Sequence, residues 1–184
     1  MKDNKSTNFS TLDLTYIGLS TALIAVCAWI SIPIATVPVT LQTLAVCLVA
    51  ALFGWKKGVA SVLIYLIIGA FGVPVFAQFK GGIGVLFGMT GGYLMGFVLT
   101  ALIVGLATEK WGNKLLVLAV SMVLGVLVCY VFGTAWFALI YAKQTEPVAL
   151  GKILSWCVIP FILPDLIKIA VACVISSRVK KYIK

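Results

Sequence analysis

Six apolar stretches, separated by short polar or turn-forming breaks, make up most of this chain. They are Leu14–Ile32, Val39–Trp55, Gly58–Val75, Val85–Thr108, Leu115–Tyr141 and a last one between Ile153 and Ser177. About 20 apolar residues in a helix cross a bilayer's hydrocarbon core. A backbone exposed to lipid must satisfy its hydrogen bonds within each segment, so all six are expected to be helices. The third is short and bounded by Pro74. The sixth contains Pro160 and Pro164, and its helix proper is expected to begin at Pro164, in a first-turn position that proline favours.

The pattern therefore predicts an all-α, polytopic integral membrane protein: one bundle of six transmembrane helices forming a single domain over residues 1–184. Composition agrees. Of 184 residues 62% are hydrophobic and 10% charged, with mean hydropathy +1.18, well outside the soluble range. The polar stretch Met1–Thr11 lacks a cleavage pattern, so the first apolar run is expected to be a retained span rather than a signal peptide.

The net charge of +9 could suggest a nucleic-acid partner, but the charges lie between the apolar segments, where lipid topology accounts for them. Lys2, Lys5, Lys56, Lys57, Lys110, Lys114, Arg178, Lys180, Lys181 and Lys184 flank one set of segment ends; the alternate loops carry only Lys80, Lys143 and Lys152. The positive-inside rule then places both termini in the cytoplasm. Trp55 and Trp111 beside the basic loops, with Trp29 near the opposite face, fit as interfacial anchors.

The five cysteines, Cys27, Cys47, Cys129, Cys157 and Cys173, are widely spaced within apolar runs, and the sequence has no histidine. Metal and histidine-based catalytic sites thus lose their usual ligands and bases, and plain buried packing is the expectation for each thiol. No metal and no catalytic residue is assigned. A GxxxxGK[ST] phosphate loop is also missing from the sequence, so ATP hydrolysis by that route is excluded.

Asp165 and Lys168 are the exception to a rule the rest of the chain obeys, that charge stays out of apolar runs. An ionisable group at membrane depth costs roughly 2.5–3.5 kcal/mol on insertion scales and reads first as a functional site facing the protein interior. Three residues apart, the two share a helical face and compensate each other; a purely structural ion pair between helices is the competing reading. Other unusual polar residues fall at the same depth. These are Thr40, Gln42 and Thr43 at the start of the second span, Gln78, Phe79, Lys80, Gly81 and Gly82 after the third, and Thr90, Gly91, Gly92 and Tyr93 near the start of the fourth. Tyr130, Thr134, Trp136 and Tyr141 belong to the outer half of the fifth. The convergence predicts one apolar pocket with a few placed polar groups near the outer leaflet. Gln42 could equally serve as an interhelical hydrogen bonder, Lys80 is expected to be a solvated loop cation, and Tyr93 suits a pocket wall or a packed interface. Gly84, Gly88, Gly92 and Gly96 predict a smooth face on the fourth segment, for helix packing or for close approach of a flat ligand. Gly18 and Ala22, with Thr21 and Ala25, give the first helix a comparable face that could dock a partner helix.

Four motifs occur in an order that resembles the BioY family, the biotin-specific S components of energy-coupling-factor (ECF) vitamin transporters. They are Val37-Pro38-Val39-Thr40-Leu41-Gln42-Thr43, Gly72-Val73-Pro74-Val75-Phe76, Thr90-Gly91-Gly92-Tyr93-Leu94-Met95-Gly96-Phe97 and Pro164-Asp165-Leu166-Ile167-Lys168. Met89 stands where the family usually has proline. The resemblance implies a membrane subunit that captures biotin from outside with high affinity. It further implies partners: an ECF coupling transmembrane protein and two cytoplasmic ATPase subunits in a prokaryotic plasma membrane, although some members are reported to act without that module. Biotin is then the transported ligand and no cofactor is required. Asp165, Lys168, Gln42, Gln78, Thr90, Gly91, Gly92, Tyr93 and Trp136 are the expected substrate-binding set. Asp165 suits the ring N–H groups, and Lys168 the carbonyl or the carboxylate. Tyr93 and Trp136 would cover the apolar ring.

Three rivals remain. A membrane enzyme using Asp165 as acid or base is weakened by the missing second carboxylate, histidine and metal ligands. A self-sufficient facilitator or channel predicts flux without nucleotide. An S component for another vitamin differs only in ligand.

Overall fold

The computed structural model describes residues 10–33, 37–145 and 148–182. In chain order it contains α1 (Thr11–Trp29), β1 (Ser31–Ile32), β2 (Val39–Thr40), α2 (Gln42–Ala70), a 3-10 turn at Ala77–Phe79, α3 (Ile83–Leu86), α4 (Gly91–Trp111), α5 (Leu115–Gln144), α6 (Leu150–Cys157) and α7 (Ile159–Val179). Lys2, Lys5 and Lys184, which contribute to the charge asymmetry, lie outside the described residues.

Among the described residues, five helical stretches are long and apolar enough to cross a membrane: α1, α2, α4, α5 and Leu150–Val179. One of them crosses twice. At Gly54 the backbone leaves the helix with φ 80° and ψ 179°, a left-handed φ that glycine adopts without a Cβ penalty. The chain then doubles back. A Cβ built on Gly58 would lie 3.1 Å from Ala50 Cα, whereas eight residues of straight helix would separate the two by about 12 Å. Residues 42–53 and 55–70 are therefore antiparallel arms, and six membrane helices result, as the hydropathy pattern predicts. The second and third meet at one glycine, with Lys56 and Lys57 already in the first turn of the return arm.

Several boundaries differ from expectation. The first helix stops at Trp29, because Ser31–Ile32 pairs antiparallel with Val39–Thr40, Ser31 opposite Thr40 and Ile32 opposite Val39. The third ends at Ala70. The fourth begins at Gly91, so Gly84 and Gly88 precede it and the four-glycine face does not exist as one helical stripe. The last segment breaks at Val158, with φ −126° and ψ −54°, and not at Pro164. Pro160 occupies the first turn of α7, and Pro164 lies inside the helix.

Buried small residues, among them Ala45, Ala50, Ala51 and Ala101, let helices approach closely, the usual basis of helix association in lipid. Leu116, Val131 and Leu163 are exposed on the outside. One end of the bundle is tied by polar contacts to the Gly54 bend. Lys57 Nζ meets Asp13 Oδ1 at 2.8 Å, Trp55 N donates to Glu109 Oε1 at 3.1 Å, and Lys180 Nζ donates to the Ala51 and Leu52 carbonyls. Asp13 also closes a capping box with Ser10 that starts α1. Lys56 lies over Trp55 and Lys110 over Trp111 at this end. The strands, the Ala77–Phe79 turn, α6 and Trp29 occupy the other.

Candidate functional site

Away from the basic ties lies a cavity of about 260 Å³ between α2, α4, α5 and α7, bordered by the 37–43 segment and the loop before α3. That is slightly under the roughly 300 Å³ at which pockets for drug-sized ligands begin, room for one small molecule and not for a peptide.

The charges sit on its α7 wall. Asp165 and Lys168 are 4% and 6% exposed, and Lys168 Nζ donates to Asp165 Oδ1 at 2.8 Å. Their i, i+3 spacing turns both inward while Leu166 and Ile167 face outward and are exposed. The second carboxylate oxygen, Oδ2, accepts from the Tyr130 hydroxyl of α5. Opposite, the first turn of α2 carries Gln42, buried at 3% exposure. Its Nε2 donates to the Tyr65 hydroxyl at 2.7 Å and its Oε1 accepts from Thr40 Oγ1 at 3.2 Å. One amide proton and one carbonyl lone pair remain for a ligand. Interhelical bonding and pocket lining thus both hold for Gln42.

On α4, the Tyr93 ring borders the cavity and its hydroxyl pairs with Thr134 Oγ1 at 2.9 Å. Thr90, just before α4, also reaches the lining. The loop before α3 contributes Gln78 and Lys80. Gln78 and Phe79 both have left-handed backbones, φ 59° and 57°, a conformation rare outside glycine. Surrounding contacts impose it: Phe76 N donates to Lys80 O at 2.9 Å, Trp29 Nε1 donates to Pro74 O at 2.8 Å, and the Trp29 and Phe79 rings stack with centroids 5.2 Å apart. Lys80 is exposed, as a loop cation should be, yet it also borders the cavity. Phe76, Leu94, Phe97, Val126 and Phe161 supply the apolar walls.

Of the nine residues expected at the site, Asp165, Lys168, Gln42, Gln78, Thr90 and Tyr93 line this one cavity, whereas Gly91, Gly92 and Trp136 do not. Trp136 lies behind α4. A Cβ on Gly92 would overlap Trp136 Cβ, and Trp136 Nε1 donates to Gly88 O at 3.0 Å. Gly92 therefore serves close packing of α4 on α5, and Trp136 pins the turn that precedes α4. Tyr130, expected among the polar residues at this depth but not in the binding set, lines the cavity, as do Thr100 and Phe161, which the hydrophobic pattern did not mark. All five cysteines are free and buried, as expected, but Cys129 and Cys157 also reach the lining.

The arrangement pairs an acceptor-only carboxylate that keeps free lone pairs with an ammonium that keeps free protons, set between apolar walls that carry a few further polar groups. It suits a small molecule with N–H donors, a carbonyl or carboxylate, and an apolar body.

Comparison with known proteins bears on the ligand. The model of the BioY family matches residues 1–184. The chain is 46% identical over 164 residues to the "Biotin transporter BioY" of Thermotoga maritima, covering 89% of this chain and 93% of that one. It is 32% identical over 179 residues to the "Biotin transporter BioY" of Rhodobacter capsulatus, covering 92% and 94%. A crystal structure of "the S-component for biotin from an ECF-type ABC transporter" superposes with TM-score 0.80 at 26% identity, covering 95% of each chain.

Proposed function

Since this chain belongs to the BioY family, we propose that it is the biotin-capturing membrane subunit, the S component, of an ECF-type vitamin importer. The observation that carries this reading is the buried Asp165–Lys168 pair on the wall of a vitamin-sized cavity. Asp165 takes the ureido N–H groups of biotin, and Lys168 donates to its carbonyl or carboxylate. Gln42, Gln78 and Thr90 complete the polar set, and Tyr93, Phe97 and Phe161 enclose the apolar part. Such pairing is required because an unsatisfied polar group in a dry pocket costs about 1–3 kcal/mol.

Both termini lie in the cytoplasm and the cavity opens outward, in keeping with the basic residues gathered at the opposite end. The 1–184 bundle acts as a single binding domain. Release inward depends on a coupling transmembrane protein and two ATPase subunits, because the chain carries no phosphate loop of its own and holds one carboxylate at depth, too few for a proton relay. Purified chain in detergent is expected to bind biotin below micromolar and to ignore thiamine and riboflavin. In liposomes without partner subunits it is expected to show no saturable accumulation. Saturable uptake by the chain alone would favour a self-sufficient facilitator, and preference for another vitamin would reassign the ligand.

A further inference from the structure

Asp165 cannot orient itself. The torsion that turns a carboxylate about its bond to Cβ is broad, and Lys168, three residues along the same helix, is a compact charge on a flexible stem that follows the carboxylate plane rather than setting it. Tyr130 differs on both counts. Its ring is rigid, it comes from α5, and it donates to the oxygen that Lys168 leaves free. Each carboxylate oxygen is thus held by a donor from a different helix, which fixes the carboxylate plane. Roughly two of its four lone-pair sites remain, and Asp165 and Tyr130 both border the cavity.

We propose that Tyr130 is a positioning residue for ligand choice: by fixing the Asp165 carboxylate, it makes the site select ligands that present N–H donors over analogues with those nitrogens alkylated. This rests on the biotin reading above. A tyrosine that merely ties α5 to α7 would affect stability and would weaken all ligands alike; a positioning tyrosine alters their ratio.

The test uses the full chain in detergent. Titration calorimetry gives the Kd of biotin and of an N-methylated ureido analogue for wild type and Tyr130→Phe, with a thermal melt on each. Tyr130→Phe is expected to weaken biotin about tenfold, because a carboxylate no longer held in plane makes poorer bonds to the ring N–H groups. The analogue's Kd is expected to change little, so wild-type discrimination shrinks by about the same factor. An unchanged ratio, whether neither Kd moves or both move together, overturns the proposal. If Tyr130→Phe does not fold, 3-fluorotyrosine at position 130 keeps the shape and makes the phenol a better donor; discrimination must then rise, and a constant or lower ratio overturns the proposal. Wild type that fails to bind biotin rejects the functional reading instead, and wild type that binds both ligands equally removes Asp165 from the N–H edge and the proposal with it.

Discussion

Neutralising Asp165 and Lys168 singly and together separates a ligand site from a structural ion pair. The two groups are 2.8 Å apart and almost fully buried, so removing one partner strands a buried charge, at a cost of about 3–5 kcal/mol. At about 2–4 °C per kcal/mol for a chain of this size, Asp165→Asn or Lys168→Met should each lower Tm by roughly 6–20 °C. The double variant Asp165→Asn/Lys168→Met strands nothing. Replacing a buried pair by neutral groups of similar volume is often neutral or stabilising by about 1–4 kcal/mol, so its Tm should return to the wild-type range or exceed it. Binding behaves differently. Each charge-assisted hydrogen bond to ligand is worth about 1.5–3 kcal/mol, so losing both should raise the biotin Kd by about 10²–10⁴-fold. Thermal melts and calorimetry on four proteins read both quantities. A double variant that regains stability and also binds biotin as wild type does would show that the pair holds helices and not ligand.

Three other outcomes are expected. Trp29→Ala removes a hydrogen bond to Pro74 O and a stack on Phe79, together worth about 2 kcal/mol; by loosening the turn that carries Gln78 and Lys80 it should let biotin leave at least tenfold faster in stopped-flow, and an unchanged off-rate would show that holding this turn does not retain the ligand. Gly92→Ala forces a methyl into Trp136 and should cost about 1–3 kcal/mol in stability, with biotin affinity retained in the folded fraction; selective loss of affinity would put Gly92 back in the site. Burial holds the Lys180 ammonium below the usual lysine range, partly offset by Glu109. The unfolded chain then binds more protons than the folded one at alkaline pH, so this group's penalty is full below the folded pKa and fades as pH rises towards 10.5. The Tm of wild type relative to Lys180→Gln should rise as the pH is raised towards 10.5, and a fall would contradict the sign.

Where charge or length decided an element, the amino-acid sequence was enough to read it. Asp165 and Lys168 stood out because membrane depth makes charge expensive, and the two crossings within α2 followed from the basic, glycine-flanked interruption at residues 54–58. Proline misled at α7, because Pro160 already occupies the first turn and a proline inside a membrane helix is tolerated when neighbours re-satisfy the backbone. The glycine spacing misled at α4, since four-residue periodicity says nothing of whether residues 84–90 are continuous with the helix that starts at Gly91. Trp136 shows the limit for side chains: depth was legible, but the face of α5 it occupies depends on packing against Gly92. Tyr130 is 35 residues from the acid it contacts, a pairing set by how α5 crosses α7 and by nothing local.

The central claim is that biotin occupies the cavity beside Asp165 and Lys168. A crystal structure of the purified chain grown with saturating biotin tests it most directly. The account predicts one molecule enclosed between α2, α4, α5 and α7, with its polar atoms within hydrogen-bond distance of both charged side chains. Biotin bound elsewhere, or a cavity left empty at saturation, would contradict it.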